Sequence, residues 1–70
     1  MTVQDPIEHV FTYHPPKPDQ PARYSVIRDK AKELAHVVSS LTPKSEEQRI
    51  ALEKIREAVM WANAAIAVNE

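Results

Sequence analysis

Two runs of apolar residues, stepping alternately by three and four, limit this chain more than any other feature. In the first, Tyr24, Ile27, Ala31, Leu34, Val38 and Leu41 follow at spacings of 3, 4, 3, 4 and 3. In the second, Leu52, Ile55, Val59, Ala62 and Ile66 step by 3, 4, 3 and 4. Such spacing draws one stripe along one side of an α-helix. A half-buried strand would alternate at every second residue, and neither run does. Between the runs lies "SSLTPKS". Thr42 precedes Pro43, which pushes it out of helical backbone and ends the first helix. Two one-sided helices joined by so short a turn pack antiparallel as an αα-hairpin.

The boundaries follow from capping chemistry. The first long helix is expected over 21–41, with Val26 and Val37 off its stripe and Pro21 tolerated only near its start. The turn takes 42–45 and the second long helix 46–68. Ser45 stands three residues before Gln48, the pattern of a capping box, and Glu46 and Glu47 suit the positive end of the helix dipole. Ahead of the hairpin, "DPIEHVF" predicts a short helix over 5–11. Asp5 would cap it, Pro6 would take its first position, and Glu8 stands three after the cap. So short a helix needs support, which Ile7, Val10 and Phe11 are placed to give. Pro15, Pro16 and Pro18 make 12–20 an extended loop.

Seventy residues form one domain and bury only about 60% of the unfolded surface. With no cysteine, disulfides cannot reinforce so small a core. From Ala58 through Asn69 there is no charged residue. A helix with one neighbour keeps a polar outer face; this one loses it, so more than one helix is expected against it. The expected fold is therefore all-α: a short N-terminal helix, then a long antiparallel hairpin, assembling into a homo-oligomeric bundle.

Several function classes are disfavoured. Nine basic residues against ten acidic ones give no field for a DNA or RNA polymer. "MTVQDPIEHV" has no basic start and no long apolar run, so neither a signal peptide nor a membrane span is expected, and a cysteine-free chain suits a reducing cytoplasm. Without glycine there is no phosphate-cradling loop and no dinucleotide fingerprint. Asp29 with Glu33, and Glu53 with Glu57, share helix faces but stand among basic residues and read as solvated surface. Glu33 and His36 match one Glu-x-x-His motif without the further carboxylate helices that a di-metal bundle needs. Ser25, Ser39 and Ser40 lack an identifiable histidine–carboxylate pair. The expectation is a protein with no metal, no cofactor and no enzymatic activity.

What remains is recognition. From Lys17 through His36 there are five basic and three acidic side chains. Arg28, with Lys30 beside it, reads either as soluble surface or as a phosphate contact. In "FTYHPPKP", Tyr13 and His14 are flat groups able to stack on a base. Phe11 fits core packing better. Trp61 among small alanines reads as packing or as an interface anchor. Asn63 interrupts an apolar segment; if buried, its amide needs a partner, and across an interface it would fix register.

"YHPP", then "YSVIRDKAKELA", then "MWANAAIA", in that order, resemble the small bacteriophage anti-CBASS protein 2 family of sponges, from about Phe11 to Ala67. The resemblance implies a helical homohexamer in the host bacterial cytoplasm. It would hold cyclic dinucleotides such as cGAMP, uncleaved, between neighbouring subunits, and so starve host CBASS immunity of its messenger. By motif, Tyr13 takes the place of the loop aromatic that stacks on a base, and Arg28 that of the basic residue meeting the phosphates. His14 and Lys30 are their neighbours. Trp61 and Asn63 belong to a C-terminal signature that is mainly structural.

The resemblance extends to cyclic trinucleotides at a second site, and here the chain departs from it. Where a basic residue is expected, the sequence reads "IAVNE", with Val68 uncharged and Glu70 of the opposite sign. If that site draws on C-terminal positive charge, trinucleotide binding is expected to be weak or absent. The alternative is a structural or regulatory helical module of a phage that acts through protein contacts alone. It leaves Tyr13 and Arg28 unused.

Overall fold

The computed structural model describes residues 6–13 and 15–70. Helix α1 spans Pro6–Phe11, α2 spans Gln20–Leu41 and α3 spans Glu46–Asn69. Among the described residues there is no strand. The long helices return on each other as a hairpin, and the molecule measures 51 × 25 × 17 Å.

The turn between α2 and α3 is built from side chains that satisfy helix ends. Thr42 is extended, at φ −125° and ψ 149°, as its place before Pro43 demands. The Ser45 hydroxyl accepts from the Gln48 backbone N–H at 3.1 Å, capping α3. The other half of the expected box takes a different course. The Gln48 side-chain amide turns back and donates to the carbonyls of Ser39 at 3.2 Å and Thr42 at 3.1 Å. The last turn of a helix leaves carbonyls without partners. The antiparallel return brings Gln48 beside those of α2. The hydroxyls of Ser40 and Thr42 bond to the carbonyls of His36 at 2.8 Å and Val38 at 2.7 Å in the same stretch.

At the other end, Pro21 sits in the first turn of α2, where its missing N–H is harmless. Asp19 precedes that helix without a side-chain cap. Its carboxylate instead meets Arg23 Nε at 3.1 Å, close enough for an ion pair but not aligned for a hydrogen bond. The cap expected from Asp5, and the side chain of Val10, lie outside what is described. Thr12 donates its hydroxyl to the Glu8 carbonyl at the end of α1.

The two stripes meet, but they enclose little. Ile27, Ala31 and Leu34 of α2 line one open groove with Ile55, Val59 and Ala62 of α3. Among the described apolar residues only Ile66 is buried, at 8% exposure. Val26 and Val37, off the stripe, are exposed, and so are Leu34, Leu41, Ile50 and Met60. Phe11, assigned to core packing from the sequence, is 83% exposed and packs into no core of its own chain. Two helices touch along one line and cannot wrap the flanks of either stripe.

The chain exposes 5896 Å², whereas a compact monomer of its 8.0 kDa mass would expose roughly 4500 Å². Its radius of gyration is 15.9 Å, against about 11 Å for a globule of this length. Each large apolar side chain left in water forgoes about 1.5–3 kcal/mol.

Candidate functional site

Tyr13 follows α1 in the loop that leads into the prolines, and its ring is 80% exposed. It does not have the burial of a core residue. His14 lies outside the described residues. The rings of Pro15, Pro16 and Pro18 each fix their own φ, which narrows the backbone choices of this loop.

Arg28 lies on the exposed face of α2. Its Nη2 donates to the Ser25 hydroxyl at 3.2 Å, one turn earlier. No carboxylate of the described residues pairs with it. Most other basic side chains are engaged: Lys30 pairs with Glu33 at 3.3 Å, Arg49 with Glu46 at 2.6 Å, and Lys54 with Glu57 at 3.4 Å. The positive charge of Arg28 is therefore available to an external anion. Glu33, Glu53 and Glu57, read as solvated surface, are used in such pairs with their helix neighbours.

Helix geometry corrects one pairing. Arg28 and Lys30 are two positions apart, which rotates them about 200° from each other around α2. Residues so spaced do not share a face, so one α2 cannot bring both to one phosphate. Lys32, four positions after Arg28, does share its face, and no described carboxylate pairs with it. The i, i+4 spacing of Arg28 and Lys32 within "RDKAK" carries that signal in the sequence. No hydrogen bond or ion pair joins Tyr13 to Arg28 within the chain.

A second cluster, at the open end of the hairpin, was not foreseen. Gln20 is 2% exposed. Its Oε1 accepts from the Lys17 N–H at 3.0 Å, while its own N–H donates to the Lys17 carbonyl at 3.0 Å. Arg23 Nη1 donates to Glu70 Oε2 at 3.0 Å, and Nη2 reaches Glu70 Oε1. The Arg23 hydrogen bond holds the Glu70 carboxyl below its ordinary range against the opposing effect of burial, with Lys17 and a Gln20 hydrogen bond adding to it. Arg23 is shifted up, first by the same hydrogen bond. Glu70 is thus engaged by Arg23 and does not project as an unpaired charge.

On the outer side of α3, Trp61 is 68% exposed and lines a shallow apolar groove with Ala64, Ala65 and Val68. Packing within its own chain is not its role. Asn63 is half-buried, and its Oδ1 is shut from solvent with no hydrogen-bond donor among the described residues. Among the described residues, no group of three or more His, Asp or Glu is placed to hold a metal. No described helix is long and apolar enough to cross a membrane.

The hairpin, the aromatic loop before it and the unspent arginine coincide with one known domain. The family model described as "Acb2/Tad1, hairpin domain" matches residues 4–67. The chain belongs to the Acb2/Tad1 family. This is the anti-CBASS protein 2 family, whose role is that of a sponge for cyclic nucleotides. The match takes in α1, the proline loop, α2 and α3 as far as Ala67, so Tyr13, Arg28, Trp61 and Asn63 fall inside the Acb2/Tad1 region. Neither the comparison with curated proteins nor that with solved structures gave a match.

Proposed function

We propose that this Acb2/Tad1 member captures cyclic dinucleotides such as cGAMP without cleaving them, in the host bacterial cytoplasm, and so antagonises CBASS signalling by a phage's host. The observation that carries this reading is the unspent guanidinium of Arg28 on the exposed face of α2. A cyclic dinucleotide presents two phosphates and two flat bases. Arg28 supplies charge-assisted hydrogen bonds to phosphate, and the outward ring of Tyr13 supplies a stacking face. The Ser25 hydroxyl accepts from Arg28 and orients it, which leaves that serine a supporting contact rather than a nucleophile.

The binding unit in this reading is a homo-oligomer, most simply a hexamer. The exposed apolar faces of α2 and α3 need cover, and Phe11 and Trp61 are large enough to anchor subunit contacts. Within that assembly, Tyr13 of one copy and Arg28 of another bracket a shared ligand. Cyclic trinucleotides are weaker ligands or none, because the C-terminal turn of α3 brings no free positive charge.

Calorimetric titration with a panel of cyclic dinucleotides tests the reading, followed by denaturation and chromatography of the released ligand. Saturable binding with intact ligand recovered is expected. Linear product growing with time and protein would make the protein a phosphodiesterase instead. No binding by any member of the panel would leave the protein-contact module.

A further inference from the structure

We propose that Lys32 is a further ligand-contacting residue: with Arg28, one turn away on the same face of α2, it spans both phosphates of a cyclic dinucleotide, one cation to each. The proposal rests on the reading that Arg28 meets a phosphate of such a ligand.

Helix α2 carries the basic residues Arg23, Arg28, Lys30 and Lys32. Carboxylates engage two of them. Arg23 pairs with Asp19 and Glu70, and Lys30 pairs with Glu33 at 3.3 Å. Arg28 and Lys32 pair with no described carboxylate, and both are exposed. Asp29 stands three positions before Lys32, the spacing at which Glu46 meets Arg49 and Glu53 meets Arg56. Even so, no ion pair joins Asp29 to Lys32.

The two cations left over are the two that share a face. From Arg28 to Lys32 the helix turns by about 40° and rises by about 6 Å, so the side chains leave α2 one above the other. Like charges at this spacing repel and weaken a helix. A ligand with two negative charges relieves that repulsion. A cyclic dinucleotide carries both phosphodiesters in one closed ring, so they cannot part to seek distant partners. Ser25 accepts from the Arg28 fork at 3.2 Å, and a guanidinium so braced sets orientation at one phosphate. Lys32 reaches the other as a compact charge on a flexible stem, with three rotatable donors. Phosphate carries no base identity, so the pair selects for two phosphates and leaves the bases to other contacts.

The test is calorimetric titration of the full chain with cGAMP, comparing the wild type with Lys32→Gln, Lys32→Arg and Lys30→Gln, with sedimentation to check assembly. Lys32→Gln should raise the dissociation constant about fourfold. Lys32→Arg keeps the charge and should stay within about twofold of the wild type. Lys30→Gln removes the same charge from another face and should bind as the wild type does. The fourfold penalty of Lys32→Gln should recur when Arg28→Ala is already present, because contacts with separate partners add. Equal losses at Lys30 and Lys32 would reduce the effect to net charge and overturn the proposal. So would no loss at Lys32, a loss in Lys32→Arg as large as in Lys32→Gln, or a penalty that disappears in the Arg28→Ala background. If the wild type binds no cGAMP, the dinucleotide reading falls and takes this proposal with it. Binding that is indifferent to Lys32 removes the proposal alone.

Discussion

Ile66 and Trp61 lie five positions apart on α3, a rotation of about 140° around its axis, and they meet opposite fates. Ile66 faces the seam with α2 and is 8% exposed, whereas Trp61 faces away from it and is 68% exposed. A helix with one partner has no use for an indole on its far side. Sedimentation at low micromolar concentration should therefore show an oligomer without a major 8 kDa species. Trp61→Lys should shift the distribution toward smaller species, because a charge at the centre of a contact must be desolvated. A wild-type protein that sediments as a monomer would sink the assembly.

The turn offers a test that does not involve the ligand. Ser45→Ala removes the cap of α3 and should cost about 1 kcal/mol of stability. Gln48→Ala removes the donor to the Ser39 and Thr42 carbonyls, but water can replace it at this exposed position. Its cost should be smaller, about 0.5 kcal/mol. Chemical denaturation at fixed protein concentration, needed because assembly contributes to apparent stability, would show the order of the two. Equal losses would mean that the Gln48 amide matters as much as the cap.

The hairpin was legible because its signals are local. Stripe spacing, Pro43 and the Ser45 cap each act within a turn or two of sequence, and the structure uses all three. Val26 and Val37, off the stripe, are exposed for the same reason. The Arg23–Glu70 pair was not legible. Glu70 returns to Arg23 from 47 residues further along the chain, and no periodicity encodes that meeting. Glu70 was read for its sign alone, as a charge adverse to a ligand, when its partner is Arg23. Phe11 was assigned a core from its chemistry, but two helices enclose too little for it to enter one. For the site, Tyr13 and Arg28 were legible by residue type. Lys32, not Lys30, shares the face of Arg28, because closeness in sequence is not closeness around a helix.

Acid should loosen the molecule in a defined direction. Glu70 and Glu46 are both held below their ordinary value of 4.5, chiefly by hydrogen bonds from Arg23 and Arg49 respectively. A carboxyl with a depressed folded pKa adds stability that is fully present above its unfolded value and is lost as pH falls through the folded one. Thermal midpoints should thus hold steady down to about pH 5 and fall below it. Glu70→Gln and Glu46→Gln should each flatten that fall, and a slope unchanged in both variants would remove these pairs from the acid response. Salt should also weaken the wild type more than the double variant, since both pairs are open to solvent.

The face of α2 makes a graded prediction about phosphate contacts. Arg28 pairs with no described carboxylate and is braced by Ser25, Lys32 stands one turn along the same face, and Lys30 lies on the other side and pairs with Glu33. Arg28→Ala should cost about 2 kcal/mol in affinity for cGAMP, the worth of a charge-assisted hydrogen bond. Its loss should appear for every cyclic dinucleotide, because phosphate carries no base identity. Lys32→Ala should cost less, about 0.5–1 kcal/mol, as a solvated point charge near the ligand. Lys30→Ala should change nothing within the ligand's own subunit. Calorimetry on the three variants, with sedimentation to show that assembly is kept, separates these outcomes. A loss at Lys30 as large as at Arg28 would mean that the pocket draws on opposite sides of α2 from two copies, and that the single-face site described here is wrong.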